Sequence, residues 1–186
     1  MKIELIAHKD SWKEKFETEK VNLKTILSEY NLHIEHIGST ALDDGYAKPI
    51  IDILIGIDSE KDIENIIKVL IKNGYIYYKI LDTKYPERKH LVKVENKIDI
   101  TTVSSTSEDV IDALKLKRIY HLSITKFGSY YWKRHLAFRD KLISDEKIRM
   151  DYFNLKLVLS QQEWADMEEY SDSKTGFIRN IEKQIL

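Results

Sequence analysis

The stretch HIGSTALDDGYAKPIIDILIGI, from His36 to Ile57, decides the fold, because a flexible turn in it is followed by a strand that carries one carboxylate. It holds three of the chain's six glycines and one of its two prolines. Pro49 suits the entry to a strand, and the almost wholly apolar run 50–57 is typical of a strand covered on both faces. Asp52 interrupts that run, where a buried strand would favour valine. A carboxylate in such a place needs a hydrogen-bond partner or a metal ion.

Helices and strands alternate outward from this strand. Apolar residues at helical spacing predict a helix over residues 9–29 and a second one, from a Ser59–Asp62 capping box to the Asn-Gly pair at 73–74. Strands are predicted at 31–38, 50–57, 75–81 and 119–127, with a hairpin over 90–103 that turns at 95–97, a short helix at 107–118 and three helical segments after Ser129. The pattern predicts an α/β fold on a mixed sheet (an α+β arrangement). We expect one domain over residues 1–186, with a sheet core at about 31–127 and a helical part at about 128–186.

The composition limits the classes of partner. Of 186 residues, 42% are hydrophobic, which is enough for a core, and the absence of cysteine excludes disulfides and thiolate metal sites. No run approaches the roughly 20 apolar residues that a membrane span needs, and the N-terminus becomes charged too early for a secretory signal. We therefore expect a cytoplasmic protein without membrane contact. A formal net charge of −1 argues against nucleic acid and leaves open a small anionic ligand held by local cations.

The Gly38-Ser39-Thr40 turn and Asp52 make chemical sense as two halves of one site. Glycine permits backbone angles that let neighbouring N–H groups converge on an anion. If Ser39 or Thr40 opens a helix, the free N–H groups of its first turn add to the same site. Asp52 could then hold Mg²⁺ or Mn²⁺ beside the anion, as phosphoryl and nucleotidyl transfer require. The alternative is a plain turn and an aspartate that bonds to backbone N–H groups.

Two cations could complete such a site. Lys48 lies just before the strand that carries Asp52, so its ammonium could reach the same pocket, or it could be solvated. His135 and Arg139 are four residues apart on a predicted helix and share one of its faces. Arg139 could bind a phosphate through two parallel hydrogen bonds, or it could pair with a carboxylate that holds the helix to the sheet.

At three further histidine or basic positions, a contact to substrate and an ordinary structural or solvated role both remain open. His36 and His121 lie on predicted strands, where a contact to substrate competes with an ordinary structural role. The Arg-Lys-His cluster at residues 88–90 enters a strand. It is interpreted as a solvated turn, with a contact to an anionic substrate as the alternative.

Five blocks of the sequence together resemble the GrpB family: LIAHKDSWKEKFETEK, HIGST, AKPIIDILIGI, GSYYWKRHLAFRDKL and YSDSKTGFIRNI. They occur in order and span nearly the whole chain. The resemblance implies the nucleotidyltransferase, or polymerase-beta-like, fold. It also implies a role near phosphorylated metabolites, since members of the family occur fused to a coenzyme A biosynthesis kinase.

The same resemblance implies a site with one acid missing. Nucleotidyltransferases of this fold use a Gly-Ser turn, two acidic residues one apart, and a third carboxylate on a neighbouring strand. Gly38, Ser39 and Asp52 match, Asp99 stands where the third carboxylate could lie, and Leu54 replaces the second acid. One implied function is the transfer of a nucleotidyl group to a small acceptor, with Asp52 and Asp99 as catalytic ligands of Mg²⁺ or Mn²⁺. The other is an inactive module that binds a nucleotide or phosphorylated metabolite.

Overall fold

A mixed sheet forms the centre of the computed structural model, which describes residues 2–96, 99–104 and 116–186. The strands are β1 Ile6–Ala7, β2 Leu32–Ile37, β3 Tyr46–Ala47, β4 Ile51–Ile57, β5 Tyr75–Tyr77, β6 Lys89–Val94 and β7 Arg118–Lys126. Five of them form one sheet in the order β2-β4-β7-β6-β5, and β1 pairs with β3. β4 and β7 are parallel, whereas the other neighbours in the large sheet are antiparallel.

Helices precede, interrupt and follow the sheet. They are α1 Ser11–Ile26, α2 Ile63–Lys72, α3 Tyr130–Ser144, α4 Glu146–Ser160, α5 Met167–Asp172 and α6 Thr175–Ile185. The Asn-Gly pair ends α2 as predicted, with Gly74 at a φ of 84°. Among the described residues, none of these helices combines the length and apolarity that a membrane span requires. The predicted α/β fold with a mixed sheet is confirmed.

Alternate residues of β4 enter two different environments. Those on one face are at most 2% exposed and pack in the main core together with side chains of α1 and α2; they are Ile51, Ile53, Ile55 and Ile57. On the other face, Leu54 packs against Tyr131 and Trp132 of α3. A Cβ on Gly56 would come within 2.8 Å of Trp132, so the helix lies directly on the strand there. Asp52 belongs to this second face, beyond the Leu54 cluster.

Two local predictions are wrong. Ser59 makes no capping hydrogen bond, because a 3₁₀ turn at Glu60–Asp62 precedes α2. The predicted hairpin does not form in the described residues, because β5 and β7 occupy both edges of β6. The segment at 101–103 instead bonds to Tyr77, at the outer edge of β5. The helix predicted over 107–118 lies outside the described residues up to position 115, and Arg118 already begins β7.

Candidate functional site

The turn at Gly38 lies directly against the carboxylate of Asp52. Ile37 pairs with Asp52 across β2 and β4, so the next residue comes beside the carboxylate. Gly38 adopts φ 73° and ψ −171°, a region that side chains strongly disfavour. A Cβ there would come closer than 3.0 Å to Oδ2 of Asp52. The backbone can therefore pass the carboxylate only because this residue has no side chain.

The residues after Gly38 differ from the predicted anion cradle. Ser39–Ala41 form a single 3₁₀ turn, and Leu42 leaves it in an extended conformation, so no α-helix begins here. The hydroxyl of Thr40 lies 3.0 Å from Nε2 of His36 and donates to the carbonyl of Ile50 at 3.4 Å. No α-helix therefore begins at Ser39 or Thr40 to add its N-terminus to an anion site, and the Thr40 hydroxyl is already engaged by the protein.

Asp52 and His121 face each other on the parallel strands β4 and β7, with Nδ1 of His121 3.3 Å from Oδ1 of Asp52. Burial raises the pKa of Asp52, but the hydrogen bond from His121 and the nearby charges outweigh it, so the pKa lies below its usual value. Burial lowers the pKa of His121, although Asp52 opposes this. At neutral pH the pair is therefore a carboxylate and a neutral imidazole that donates from Nδ1. Nε2 of His121 has no hydrogen-bond partner among the described residues.

A cavity of about 880 Å³ opens over this pair. Such a volume is typical of small-molecule sites. Its floor includes Asp52, His121 and His90, which lie on neighbouring strands of the sheet. Side chains of α3, α5 and α6, including Tyr131, line part of the rest, as does Lys174 between α5 and α6. The sheet thus places one carboxylate and two histidines beneath a space of ligand size.

Three cations line the cavity near Asp52 and form no ion pair with a carboxylate in the described part of the chain: Lys48, Arg118 and Lys174. Burial lowers the pKa of Lys48, and the charge of Arg118 acts in the same direction. Burial, then the charges of Lys48 and Lys156, lower the pKa of Lys174 to about 7. Lys48 is therefore repelled by both Arg118 and Lys174, and an anion among the three groups would relieve that repulsion.

The opposite end of the cavity is also cationic. Arg134 and Arg179 share the carboxylate of Glu182, at 3.2 and 2.8 Å. Arg88 has no carboxylate partner among the described residues, and its Nη1 is buried without a hydrogen bond. Burial, followed by the charge of Arg134, lowers the pKa of His135 to about 3, and Arg88 and Arg179 act in the same direction. The three guanidinium groups are therefore close to one histidine.

The remaining predicted residues have mainly structural contacts. Arg139 lines the cavity, but its Nη1 donates to Glu35 at 2.7 Å and to the carbonyl of His36 at 3.0 Å, so it ties α3 to β2. His36 stacks on Phe16 at 4.6 Å, behind the turn. His135 lines the cavity and donates from Nδ1 to a carbonyl of its own helix at 2.8 Å. The carboxylate-pairing alternative for Arg139 is the one that the geometry favours.

The donors present do not fit a two-metal centre. Leu54 is fully buried among apolar side chains. Asp99 is exposed and precedes the 101–103 segment at the outer edge of β5, and three strands (β5, β6 and β7), spaced about 4.8 Å apart, lie between that segment and β4. The structure therefore does not bring Asp99 to Asp52. No group of three or more His, Cys, Asp or Glu side chains in the described residues could hold a metal ion. An ion at Asp52 would need oxygens from a bound phosphate.

The sequence did not predict that Arg118 and Lys174 line the site. Arg118 opens a strand and Lys174 lies between two short helices, so no spacing rule connects either residue with Asp52. Arg88 and His90 carried a usable signal. They are two residues apart at a strand entry, and alternate strand residues share a face. Both line the cavity, which supports the contact to an anion that the cluster at 88–90 left open.

The model of the family described as GrpB protein matches residues 2–184. The chain belongs to the GrpB family. Glutamate-rich protein GrpB of Alkalihalophilus pseudofirmus is 31% identical over 177 residues, which cover 95% of this chain and 92% of the relative. The crystal structure of GrpB from Enterococcus faecalis is similar with a TM-score of 0.76 at 30% identity, over 98% of this chain and 96% of that one.

A more distant similarity connects the chain with the Cid1 poly(U) polymerase in its MgGTP-bound form. The TM-score is 0.49 at 14% identity, over 83% of this chain and 43% of that one. A similarity of this size says nothing about activity. The GrpB-family membership that the sequence blocks indicate is confirmed, whereas the chemistry depends on the residues that line the cavity.

Proposed function

We propose that this GrpB-family protein binds a nucleotide or another phosphorylated small molecule in the cavity over Asp52 and His121. The observation that carries the proposal is the group Lys48, Arg118 and Lys174, three cavity cations without a carboxylate partner in the described residues. Phosphate suits such a group, because a guanidinium offers it a planar fork of donors and an ammonium a compact charge. The cavity of about 880 Å³ has room for a nucleotide.

An anion is also the ligand that the electrostatics favour. Asp52 supplies one negative charge among the three cations, and burial with neighbouring positive charge lowers the pKa of Lys174 to about 7. A bound phosphate would raise that pKa again, because an opposite charge favours the protonated amine. The free protein therefore holds cations that become more stable when an anion binds.

Nucleotidyl transfer to a small acceptor is a second candidate. It is supported by the ionised Asp52 against the Gly38 turn, since one carboxylate together with bound phosphates can hold Mg²⁺ or Mn²⁺. Two positions count against it, because Leu54 is apolar and buried and Asp99 lies away from the cavity. Binding without transfer is the function that the geometry supports better.

A thermal-shift panel tests the proposal. Nucleoside mono-, di- and triphosphates are added with EDTA or with Mn²⁺ to the wild type, Lys174→Gln, Asp52→Asn and the control Lys133→Gln, which removes an exposed lysine of α3. A ligand at about a hundred times its Kd should stabilise the wild type by about 2.7 kcal/mol. We expect the shift in EDTA, unchanged in Lys133→Gln and reduced in Lys174→Gln.

The panel separates the two candidates. A shift that needs Mn²⁺ and is lost in Asp52→Asn would favour the transferase and justify a search for acceptors. No shift with any phosphorylated compound, under either condition, would contradict the proposed function.

A further inference from the structure

The cation-lined cavity is elongated, because its floor runs along two antiparallel strands. Arg118 pairs with Val94, whereas Ile124 pairs with Lys89, the residue that follows Arg88. Arg88 and Arg118 therefore lie at opposite ends of the β6–β7 pair. Ile124 is six positions beyond Arg118 on β7, which corresponds to about 20 Å of extended backbone. The cations at the two ends therefore start from backbone positions that are far apart, which suits two anionic groups better than one.

At the Asp52 end, aromatic rings hold the cations without cancelling their charge. The ammonium of Lys174 lies 3.5 Å from the centre of the Tyr170 ring and donates to the Tyr170 carbonyl at 2.8 Å. Lys48 lies 4.9 Å from the same ring. Arg118 lies 4.9 Å from the Tyr78 ring and donates to its hydroxyl at 3.1 Å. Cation–π contacts of this kind position a charge and leave it available to a ligand.

At the other end, positive charge exceeds the nearby carboxylates. Arg88 lies 4.8 Å from the Tyr85 ring, and its Nη1 has no hydrogen-bond partner among the described residues. Arg134 and Arg179 share Glu182 as their close carboxylate, and the next one, Glu87, is 4.0 Å from Arg134. A buried donor without a partner is rare and costly in folded proteins, so a ligand group that reaches Arg88 would stabilise it.

The middle of the floor is neutral by comparison. His90 and His121 lie with their ring centres 5.2 Å apart, and burial lowers the pKa of both. Ser123, also in the lining, pairs with His90 across the strands. Neutral imidazoles and a hydroxyl suit the uncharged, hydrogen-bonding part of an organic molecule. The cavity therefore has two cationic ends and a polar centre that holds the Asp52 carboxylate beside His121.

We propose that the ligand is a small organic molecule that carries two separate phosphoryl groups, one held by Lys48, Arg118 and Lys174 and the other by Arg88. The inference rests on the proposed function and adds the number and spacing of the phosphoryl groups. A ligand with one phosphate leaves one end of the cavity uncompensated. Because Nη1 of Arg88 is closed off in the free protein, its guanidinium has to rotate toward the ligand. Side-chain changes of this size are common on binding.

A series of bisphosphonates of increasing chain length tests the distance between the two phosphoryl sites. Isothermal titration calorimetry compares methylphosphonate with alkane-1,n-diyl bisphosphonates from propane to decane, on the wild type, Arg88→Gln, Lys174→Gln, Lys48→Gln and the surface control Lys133→Gln. At one chain length the bisphosphonate should bind more than about 100-fold tighter than methylphosphonate, since linked groups gain from effective concentration. Arg88→Gln, and separately Lys174→Gln or Lys48→Gln, should return that affinity to about the methylphosphonate level, whereas Lys133→Gln should not change it.

The outcomes separate this inference from the function on which it rests. If methylphosphonate binds and every bisphosphonate binds equally well, the protein has a single phosphate site and the inference is overturned, while the proposed function stands. The same conclusion follows if the best bisphosphonate tolerates Arg88→Gln. If neither a phosphonate nor a nucleotide binds, the proposed function itself fails. Two lysine variants at the Asp52 end ensure that misfolding of one does not remove the test, and circular dichroism verifies each fold.

Discussion

The two faces of β4 show how one strand serves both stability and chemistry. On the core face, four isoleucines are at most 2% exposed and pack with α1 and α2. On the opposite face, Asp52, Leu54 and Gly56 follow one another, yet their surroundings differ. α3 covers Leu54 and Gly56, whereas Asp52 lies under the cavity. Where a helix rests on the strand, it favours apolar or minimal side chains, and the uncovered position is the one that can hold a charge.

This difference explains why a second acid at position 54 is incompatible with the fold as it stands. Leu54 is fully buried beside Tyr131, Trp132 and Ile37. A carboxylate there would have no water and no cation, and burying a charge in such surroundings is costly. The missing acid is therefore a consequence of how α3 lies on β4.

The largest effect is expected from Leu54→Asp, which places a carboxylate under α3. We expect a loss of more than about 4 kcal/mol in the free energy of unfolding, or no folding at all, because the group is buried without a partner. Leu54→Met is the matched control and should cost less than about 1.5 kcal/mol. Urea unfolding at pH 7 measures both. A stable Leu54→Asp protein that binds Mn²⁺ would contradict this explanation, since α3 would then tolerate a metal site.

The next largest effect is expected at the turn that faces Asp52. Gly38→Ala adds a Cβ that meets the carboxylate, at a φ of 73° and ψ of −171° that side chains disfavour. We expect a loss of about 3 kcal/mol, from backbone strain and the contact together. Gly74→Ala is the control, because its φ is 84° but nothing lies within 4 Å of the added Cβ. It should lose about 1–2 kcal/mol, from the backbone alone.

Urea midpoints of the two glycine variants give the difference directly. If both lose the same free energy, the space next to Asp52 is not limiting. The close approach of Gly38 to the carboxylate would then have no energetic weight.

Local sequence patterns predicted the strands of the sheet core, whereas the order of the strands depends on long-range pairing. The apolar run at 50–57 and the alternation at 31–38 predicted β4 and β2, because side-chain periodicity depends on neighbours in sequence. The hairpin at 90–103 was wrong, because β7, more than twenty residues later in the chain, takes the edge of β6. No local signal reveals which strand will occupy an edge.

The residues of the candidate site also divide into those that local sequence predicts and those that tertiary packing brings together. Gly38, Lys48, Asp52 and His121 were predictable, since each stands out in its own segment. The predicted hairpin put Asp99 near Asp52. Because that hairpin does not form in the described residues, Asp99 does not lie near Asp52. Arg118 and Lys174 reach the cavity because β7 and the C-terminal helices converge on it, a feature of tertiary packing that residue spacing does not encode.

The smallest effect concerns a cation that lies behind the cavity face. Lys156 of α4 is 3% exposed, donates to the carbonyl of Tyr46 and lies 4.7 Å from the Phe153 ring. Burial, then the charge of Lys48, lowers its pKa from 10.5 to about 7. Below pH 7 Lys156 is protonated in both the folded and the unfolded protein, and the folded protein holds a buried ammonium. Between about pH 7 and 10.5 the unfolded chain keeps this proton and the folded protein does not. The free energy of unfolding therefore rises with pH over this range.

Lys156→Met should therefore stabilise the protein by about 1–2 kcal/mol at pH 6, once the lost hydrogen bond is offset against the removed charge. The gain should shrink as the pH rises toward 10, and urea midpoints at pH 6, 8 and 10 follow it. Lys147→Met, at an exposed position of the same helix, controls for hydrophobicity and should show no such trend. A variant that is destabilised at every pH would mean that the bond to Tyr46 outweighs the charge. Lys156 would then be a structural part of the fold.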